Sequence, residues 1–346
     1  MEEINVLIAF CGSLATGPNL ISLLRGIKEK NINIIGVDSN EENPARFMVD
    51  RFYKCPKNKN KFVNFIKEVC LKEKIDIILP TSTENSLMPL KKNINIFDEI
   101  GVLIPGMEYH DLQKINDKGC MLESLEKSAL PCAKFGVPKT LNEFDKHLAE
   151  LGYPKKMVVV KPAVSSGNRG FRILKEGHSF SYGDLIKKNN EPFMDANNYR
   201  KIIEEENDFP NIVMMEYLPG QDYSIYCLAK SGASKAIIPF KRLKPGPGLS
   251  YISQISMDKR IISLCEKIIE HFNLDWNVNI QMRGSADGQP LVYEINPRIA
   301  GSIVLTRAAG CNLLHHGIKQ ILGEKGEISK PRDGVKMYRY LTEVYV

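Results

Sequence analysis

Two polar stretches near the carboxyl end of the chain carry oxygen-bearing side chains at strand-like spacing. The first is Asn279-Ile280-Gln281, and the second, about one β-hairpin later, is Glu294-Ile295-Asn296. Alternate residues of a strand share a face, so Glu294 and Asn296 lie together and Ile295 points to the other side. Gln281, on a strand predicted at 278–282, points to the same face. A carboxylate and two amide oxygens are hard ligands that suit Mg2+, with water and substrate phosphates in its other positions.

Arg298 follows this motif after the turn at Pro297. A guanidinium at this position is suited to hold two oxygens of a phosphoryl or acyl-phosphate group. The same residue types also occur on solvated polar strand edges, because Glu and Asn are common on exposed faces. On spacing alone, both interpretations remain open.

A lysine followed by a loop of small residues forms a second candidate site, Lys161-Pro162-Ala163-Val164-Ser165-Ser166-Gly167-Asn168-Arg169-Gly170. Glycines let backbone N–H groups approach a phosphate closely, and serine hydroxyls add donors. Lys161 would place its charge at the inner phosphates of a nucleotide, and Arg169 would reach the outer ones. A tight β-hairpin with a solvated arginine explains the same residues, so the loop alone is weak evidence.

A third candidate begins where a strand predicted at 212–216 ends, at Glu216-Tyr217-Leu218-Pro219-Gly220. Backbone N–H and C=O groups that leave a sheet need partners, and the edge of an adenine ring can provide them. Met and Leu side chains would cover the ring, and Asp222 would accept ribose hydroxyls. In isolation, a core strand followed by a Pro-Gly turn explains the pattern equally well.

The helices and strands that must position these residues follow two patterns along the chain. The first pattern covers about the first hundred residues. Apolar strands predicted at 6–10, 33–37, 75–79 and 102–104 alternate with amphipathic helices predicted at 19–30 and 61–73. This alternation predicts a Rossmann-like parallel sheet. The glycines at 12 and 17, with Asp38, lack the G-x-G-x-x-G order of a dinucleotide site. The loops at 12–17 and 81–85 nevertheless follow strand ends, where we expect substrate specificity to arise.

From about residue 111 the chain is α+β, with a mostly antiparallel sheet. Thr140 is predicted to cap a helix that runs to about residue 151, with Glu143 completing a capping box. The polar segment 176–208 is predicted to be a flexible excursion. The other elements of this half are predicted helices at 111–128 and 258–272 and strands at 157–160, 212–216, 278–282 and 291–296.

Composition excludes several classes of protein. The chain has 346 residues, 43% hydrophobic and 25% charged, with a formal charge of +6. The basic residues are not clustered on one face, which argues against a nucleic-acid partner. Eight cysteines without a CxxC pair predict reduced thiols in the cytoplasm, with Cys11 and Cys227 in the core. The acidic amino terminus predicts that the chain has no signal peptide, and the lack of a long apolar run predicts that it has no membrane partner.

The order of these features, together with a lysine inside a helix at Lys118, resembles the ATP-grasp superfamily. Within it, the chain resembles the synthetase component of carbamoyl-phosphate synthase and related carboxylate–amine ligases, over essentially its whole length. The motif from Glu294 to Arg298 with Gln281 upstream is highly specific for the group. The resemblance implies a Rossmann-like pre-ATP-grasp domain at 1–110 and a two-lobed α+β ATP-grasp fold. Its small lobe with the phosphate loop would span 111–220, and its C-terminal lobe with the Mg2+ site 221–346.

The resemblance also implies roles for individual residues. Lys118 and Lys161 would contact the ATP phosphates, and the loop with Ser165, Ser166, Gly167, Arg169 and Gly170 would cover them. Glu216, Tyr217 and Leu218 would bind adenine, and Asp222 the ribose. Gln281, Glu294 and Asn296 would hold Mg2+, for which Mn2+ is a substitute, and Arg298 would stabilise the acyl phosphate. Arg242 matches a substrate-facing basic position more loosely.

Two departures from the family pattern concern the ribose end of the site. The ribose position is usually Glu, and the shorter Asp222 would need a bridging water. The family often carries a second acid three or four residues later, where this chain has Ile225-Tyr226. No catalytic role is expected at that place.

The implied reaction phosphorylates a carboxylate with ATP, releases ADP, and lets an amine or similar nucleophile attack the acyl phosphate. Carbamoyl-phosphate synthesis itself is disfavoured, because that enzyme has two grasp halves and this chain has one. A nucleotide-binding regulatory protein without turnover, and a kinase-like transfer to another acceptor, are the alternatives. Dimers are common among ligases of this resemblance, so a homodimer is one expectation. The carboxylate, the nucleophile and the oligomeric state stay open.

Overall fold

The structure, a computed structural model, describes residues 3–14, 16–165, 167, 169–179, 192–246 and 249–346. These residues form two compact units. Unit 1 comprises Met1–Ile115, Asp222–Gln281 and Ile295–Val346, and unit 2 comprises Asn116–Gln221 and Met282–Glu294. The three-domain division at 110 and 220 remains a prediction.

The amino-terminal part of unit 1 contains a four-stranded sheet in the order β3-β2-β1-β4, in which every pair is parallel. Val6 and Ile8 pack into one apolar cluster, and Leu7 and Ala9 into a second one. Both faces of β1 are therefore buried, which explains its uninterrupted apolar sequence. The strands are β1 Glu3–Ala9, β2 Asn31–Asp38, β3 Arg51–Lys54 and β4 Ile77–Pro80, and the helices are α1 Gly17–Arg25, α2 Lys59–Glu73, α3 Met88–Lys92, α4 Ile94–Asp98 and α5 Tyr109–Asn116.

Unit 2 is built on a five-stranded sheet in the order β5-β9-β6-β7-β8, with only the β7–β8 pair parallel. Phe144, Val160 and Met214 lie in its apolar core. Its elements are α6 Lys118–Lys127, β5 Phe135–Gly136, α7 Leu141–Glu150, β6 Val158–Pro162, β7 Arg172–Leu174, β8 Phe193–Met194, α8 Ala196–Glu204 and β9 Ile212–Glu216.

The carboxyl-terminal half contains a six-stranded sheet in the order β14-β13-β10-β11-β12-β15, whose β10–β11, β11–β12 and β12–β15 pairs are antiparallel. Two of the four unit boundaries fall inside β13 and β14. The elements are β10 Asp222–Lys230, β11 Ala233–Gly246, β12 Leu249–Ile255, α9 Lys259–His271, β13 Trp276–Gly284, β14 Pro290–Asn296, α10 Val304–Ala308, α11 Leu313–Ile321 and β15 Lys336–Tyr338.

The predicted fold class is confirmed: an α/β chain whose amino-terminal sheet is parallel and whose second half is α+β with mostly antiparallel sheets. Cys11 and Cys227 are buried, as predicted. Among the described residues, no helix combines the length and the apolar character that a membrane span requires.

Two predicted elements were wrong. The strand predicted at 102–104 is a single bridge between Leu103 and Ile77, and β3 provides the fourth strand. The helix predicted at 111–128 is two helices, α5 and α6. It breaks at Asp117, whose carboxylate accepts the N–H of Cys120 at 3.1 Å and thereby caps α6.

Two further predictions around unit 2 were wrong in part. Residues 180–191 of the segment predicted to be flexible lie outside the described residues, but β8 and α8 give regular structure to the following part. Thr140 caps α7 as predicted, through a 3.2 Å bond from the N–H of Glu143. The Glu143 carboxylate, however, accepts the N–H of Lys139 at 2.7 Å, so the capping box reaches one residue further back.

Candidate functional site

Lys161 lies inside β6, and its side chain is buried, with 8% of it exposed. Its Nζ donates to the Glu294 carboxylate at 3.4 Å and to the carbonyl oxygen of Tyr293 at 3.3 Å. The ammonium also lies 5.1 Å from the centre of the Tyr293 ring, within cation–π distance. The structure therefore joins two residues that were predicted for different tasks, the phosphate lysine and the metal carboxylate.

Burial lowers the pKa of Lys161 from its usual value of 10.5 to about 8. The Glu294 carboxylate opposes this effect, and the positive charge of Lys118 adds to it. Two buried lysines whose charges repel each other make unit 2 a favourable place for an anion, because a bound anion would neutralise both.

Lys118 begins α6 and is 5% exposed. Its Nζ donates to the carbonyl oxygens of Ser165, at 2.9 Å, and Ala163, at 3.4 Å. These contacts attach the lysine to the start of the predicted phosphate loop. Asp117, which caps α6, fixes where the helix begins and so where Lys118 projects.

The described part of the phosphate loop has the backbone that glycine allows. Gly167 and Gly170 have φ values of +69° and +72°, in the left-handed region. A Cβ on Gly170 would also lie 2.7 Å from the ring of Pro162, so no other residue fits there without a shift. Arg169 is exposed. Ser166 lies outside the described residues.

The predicted adenine segment begins at the last residue of β9, and the side chains of Glu216 and Tyr217 have partners within unit 2. The Glu216 carboxylate accepts the N–H of Lys134 at 2.9 Å, which anchors the strand end to the residue before β5. Tyr217 stacks on the guanidinium of Arg283, 5.5 Å from the ring centre, and Leu218 is buried. The carboxylate of Glu216 thus has a structural role at the end of β9.

Asp222 and Arg242, predicted as the ribose acid and a substrate-facing base, form an ion pair within unit 1. Arg242 NH1 lies 2.9 Å from Asp222 Oδ2, with the two side chains 15% and 13% exposed. Arg242 NH2 also donates to the carbonyl oxygen of Leu249 at 3.1 Å. The pair links the beginning of β10 to the facing part of β11.

Two of the predicted metal ligands lie in unit 1 and have oriented side chains. Gln281 Nε2 donates to Asn279 Oδ1 at 3.3 Å, which turns the Gln281 carbonyl oxygen away from that contact. Asn279 is fully buried and is itself fixed by Ser224 Oγ at 2.9 Å. Arg298 NH2 donates to Asn296 Oδ1 at 3.3 Å, so the arginine and the amide of the motif adjoin each other.

The donor chemistry of these residues fits Mg2+. Ile295 is buried while Glu294 and Asn296 are partly exposed, as strand alternation predicted. An amide oxygen has two lone pairs, so the contact from Arg298 leaves Asn296 able to bind a cation. No group of three or more His, Cys, Asp or Glu side chains suited to a metal occurs among the described residues. The predicted set of metal ligands contains one carboxylate and two amides, so it differs from a group of that composition.

Sequence reasoning missed Arg283 and the role of Tyr293. Arg283 Nε donates to the carbonyl oxygen of Gly220 at 3.1 Å while its guanidinium covers Tyr217. A signal for it existed, because Arg283 follows Gln281 by two residues and so belongs to the same face of β13. The contact of Tyr293 with Lys161 had no such signal, since it depends on the pairing of distant segments.

Two family models match separate parts of the chain. The model described as "ATP-grasp in the biosynthetic pathway with Ter operon" matches residues 208–344, and the model described as "PylC-like, N-terminal domain" matches residues 13–104. The large chain of carbamoyl phosphate synthase from Agathobacter rectalis is 30% identical over 154 residues, which are 42% of this chain and 14% of that protein. The chain thus spans less than half the length of the curated relatives that it matches, 46% in one case and 14% in the other.

Solved structures agree in fold at low identity. N5-carboxyaminoimidazole synthetase from Staphylococcus aureus is 17% identical, with a TM-score of 0.67 over 94% of this chain and 79% of that one. The biotin carboxylase domain of 2-oxoglutarate carboxylase from Hydrogenobacter thermophilus, solved with MgADP and bicarbonate, is also 17% identical. Its TM-score is 0.69 over 96% of this chain and 73% of that one. The chain therefore shares the fold of these ATP-grasp structures, and an ATP-grasp family model matches its residues 208–344.

Proposed function

We propose that the protein is an ATP-dependent ligase that activates a carboxylate as an acyl phosphate, releases ADP, and joins the acyl group to an amine or similar nucleophile. The observation that carries the proposal is the contact of Lys161 with Glu294 in unit 2, beside a second buried lysine. A buried cation next to a potential metal carboxylate is an arrangement suited to the triphosphate of a metal–nucleotide complex.

The chain's own residues would hold the nucleotide along its length. Lys118 and Lys161 would bind the phosphates, and the loop with Ser165, Ser166, Gly167, Arg169 and Gly170 would cover them and exclude water. The segment Glu216-Tyr217-Leu218 would bind adenine. Asp222 would accept the ribose hydroxyls while Arg242 holds its side chain in place.

Gln281, Glu294 and Asn296 would hold Mg2+, or Mn2+ in its place, since both favour oxygen ligands. When bound, the cation neutralises phosphate charge and aligns the terminal phosphoryl group. Arg298, fixed beside Asn296, would stabilise the oxygens of the acyl phosphate. These roles are mainly positioning and charge neutralisation, which is how phosphoryl transfer is usually accelerated.

Phosphorylation is needed because a carboxylate is a poor electrophile whose leaving group would be oxide. Transfer of the terminal phosphoryl group to the carboxylate oxygen creates an acyl phosphate, from which inorganic phosphate leaves when the nucleophile attacks. The expected small-molecule partners are therefore ATP, a carboxylate and an amine. We further expect a cytoplasmic protein and a homodimer.

ATP consumption in the presence of pooled amino acids, small organic acids and bicarbonate, with and without an amine, tests the proposal. ADP and phosphate release that depends on the pool would support an acyl-phosphate intermediate, and division of the pool would identify the substrate. Release of AMP and pyrophosphate would overturn the mechanism. ATP binding without turnover in any pool would favour a regulatory nucleotide-binding protein instead.

A further inference from the structure

Glu84, which follows the carboxyl end of β4 in the amino-terminal parallel sheet, has one buried carboxylate oxygen without a hydrogen-bond partner among the described residues. Glu84 belongs to a π-helix, Thr83–Leu87, that follows β4 after two residues. Its Oε2 is buried and has no hydrogen-bond partner among the described residues. Buried polar atoms in native proteins are almost always bonded, so an exception calls for an explanation such as an absent ligand.

The strand order places Glu84 where open α/β sheets bind ligands. From β1 the chain adds β2 and β3 on one side and then returns to place β4 on the other side of β1. The order therefore reverses between β1 and β4, and ligands bind outside the carboxyl ends of the strands at such a reversal. The chain leaves β1 through Phe10 and β4 through Thr81, and Glu84 follows Thr81 by three residues, at this edge of the sheet.

The backbone around the crevice is unusual at both strand ends. Phe10 has a φ of +62°, a conformation that residues other than glycine rarely adopt and that often marks functional sites. Thr81 Oγ1 donates to the carbonyl oxygen of Phe10 at 2.8 Å and thereby ties the two strand ends together. The π-helix that carries Glu84 is a rare element, frequent at functional sites.

Asp38, whose carboxylate lies at the same edge of the sheet, has a structural role. Asp38 Oδ2 accepts the N–H of Gly12 at 2.8 Å, and its Oδ1 accepts the N–H of Asn40 at 2.9 Å. Asp38 therefore holds the loop after β1 in place. Glu84 follows β4, on the other side of β1, and its Oε2 has no such partner among the described residues.

We propose that Glu84 binds the ammonium group of a substrate in this crevice, so that one substrate of the ligase is a positively charged amine or amino acid. The identification of the bound molecule as a substrate rests on the proposed ligase function. A carboxylate and an ammonium form charge-assisted hydrogen bonds, which are stronger than those between neutral groups. An analogue with a hydroxyl or acylated nitrogen would leave the Glu84 charge unpaired and would be rejected.

The test compares probes that differ only in this charge. L-amino acids and short diamines are paired with the matching 2-hydroxy acids and N-acetyl amino acids, and both thermal stabilisation and stimulated ADP release are measured on the full chain. Ammonium-bearing probes should act on the wild type, and their neutral partners should not. Glu84→Gln should raise the apparent Kd and KM for the probe by about tenfold or more. Glu99→Gln, at an exposed acid of the same unit, should change them by less than about twofold.

Measurements without any probe separate binding from a structural role. Glu84→Gln should keep or raise the melting temperature, because it replaces a carboxylate whose buried Oε2 has no partner among the described residues, whereas Asp38→Asn should lower it. A lower melting temperature in Glu84→Gln, equal responses to charged and neutral probes, or no response of the wild type to any probe would each overturn the proposal. Ammonium-dependent stabilisation that is lost in Glu84→Gln, without ATP turnover, would instead sustain the Glu84 site and refute the ligase function.

Discussion

At the scale of single residues, the buried ammonium of Lys161 predicts how stability depends on pH. Its pKa in the folded protein is about 8, below the 10.5 of an exposed lysine. Below pH 8 both states carry the proton, so the folded state bears the full desolvation of the charge. Between pH 8 and 10.5 the folded state releases the proton first, and wild-type stability rises with pH relative to a variant without the amine.

We therefore expect Lys161→Met to be more stable than the wild type at pH 7, by on the order of 2–3 kcal/mol, and to lose this advantage toward pH 10. Urea unfolding at several pH values, in the presence of EDTA, measures the difference between the two proteins. Other titrating groups are common to both proteins and cancel in that difference. A difference that stays constant from pH 7 to pH 10 would contradict the assignment.

Glu294 is the one carboxylate in the proposed set of metal ligands. Glu294→Ala should abolish Mg2+-dependent ATP turnover, because it removes the only carboxylate of the proposed metal set, and should leave the fold intact. Asp287→Ala, at an exposed position of the hairpin between β13 and β14, is the matched control and should keep its activity. The test is ATP turnover of both variants as a function of Mg2+ concentration. Circular dichroism checks that each variant is folded. Retained activity in Glu294→Ala would refute the metal assignment.

At the scale of elements, the Asp222–Arg242 pair predicts a coupling between β10 and β11. Both side chains are largely buried, so loss of either partner leaves an uncompensated charge. Asp222→Asn and Arg242→Met should each lower the free energy of unfolding by about 1–3 kcal/mol, and the double variant by less than the sum. Lys244→Met, at an exposed position of β11, should have little effect. Additive single changes in urea unfolding would show that the pair is not coupled.

At the scale of the whole molecule, unit 1 is assembled from three separate segments of the chain. Leu20 and Leu24 of α1 share an apolar cluster with Leu305, Leu314 and Ile318 from the carboxyl-terminal segment. Arg307, from that segment, also donates to the carbonyl oxygen of Ser22 at 2.8 Å. The core of the amino-terminal sheet is therefore completed by residues almost three hundred positions away.

A fragment of residues 1–115 should consequently lack a complete core. We expect it to keep secondary structure in far-UV circular dichroism, to bind ANS, and to unfold over a broad temperature range, because apolar surface on α1 is uncovered. The full chain measured under the same conditions is the comparison. A sharp, cooperative transition of the fragment without ANS binding would show that the segment folds independently.

The sequence alone determined what depends on local period and residue type. The alternation of Glu294, Ile295 and Asn296 predicted their faces, Thr140 predicted the start of α7, and the apolar runs predicted the parallel sheet. These features depend on neighbours within a few residues, which the sequence shows directly. The break at Asp117 was missed because helical periodicity continues across it, although the capping side chain was visible in the sequence.

Only the tertiary structure decided which distant side chains meet. The contacts of Lys161 with Glu294 and of Asp222 with Arg242 join residues of different strands, and that of Arg283 with Tyr217 joins β13 to the residue after β9. Which strands lie beside one another, and in which register, follows from the packing of whole sheets. The unpartnered oxygen of Glu84 is likewise a tertiary fact. Sequence shows that an acid is present, but only packing determines whether its carboxylate is buried and whether a donor lies within reach.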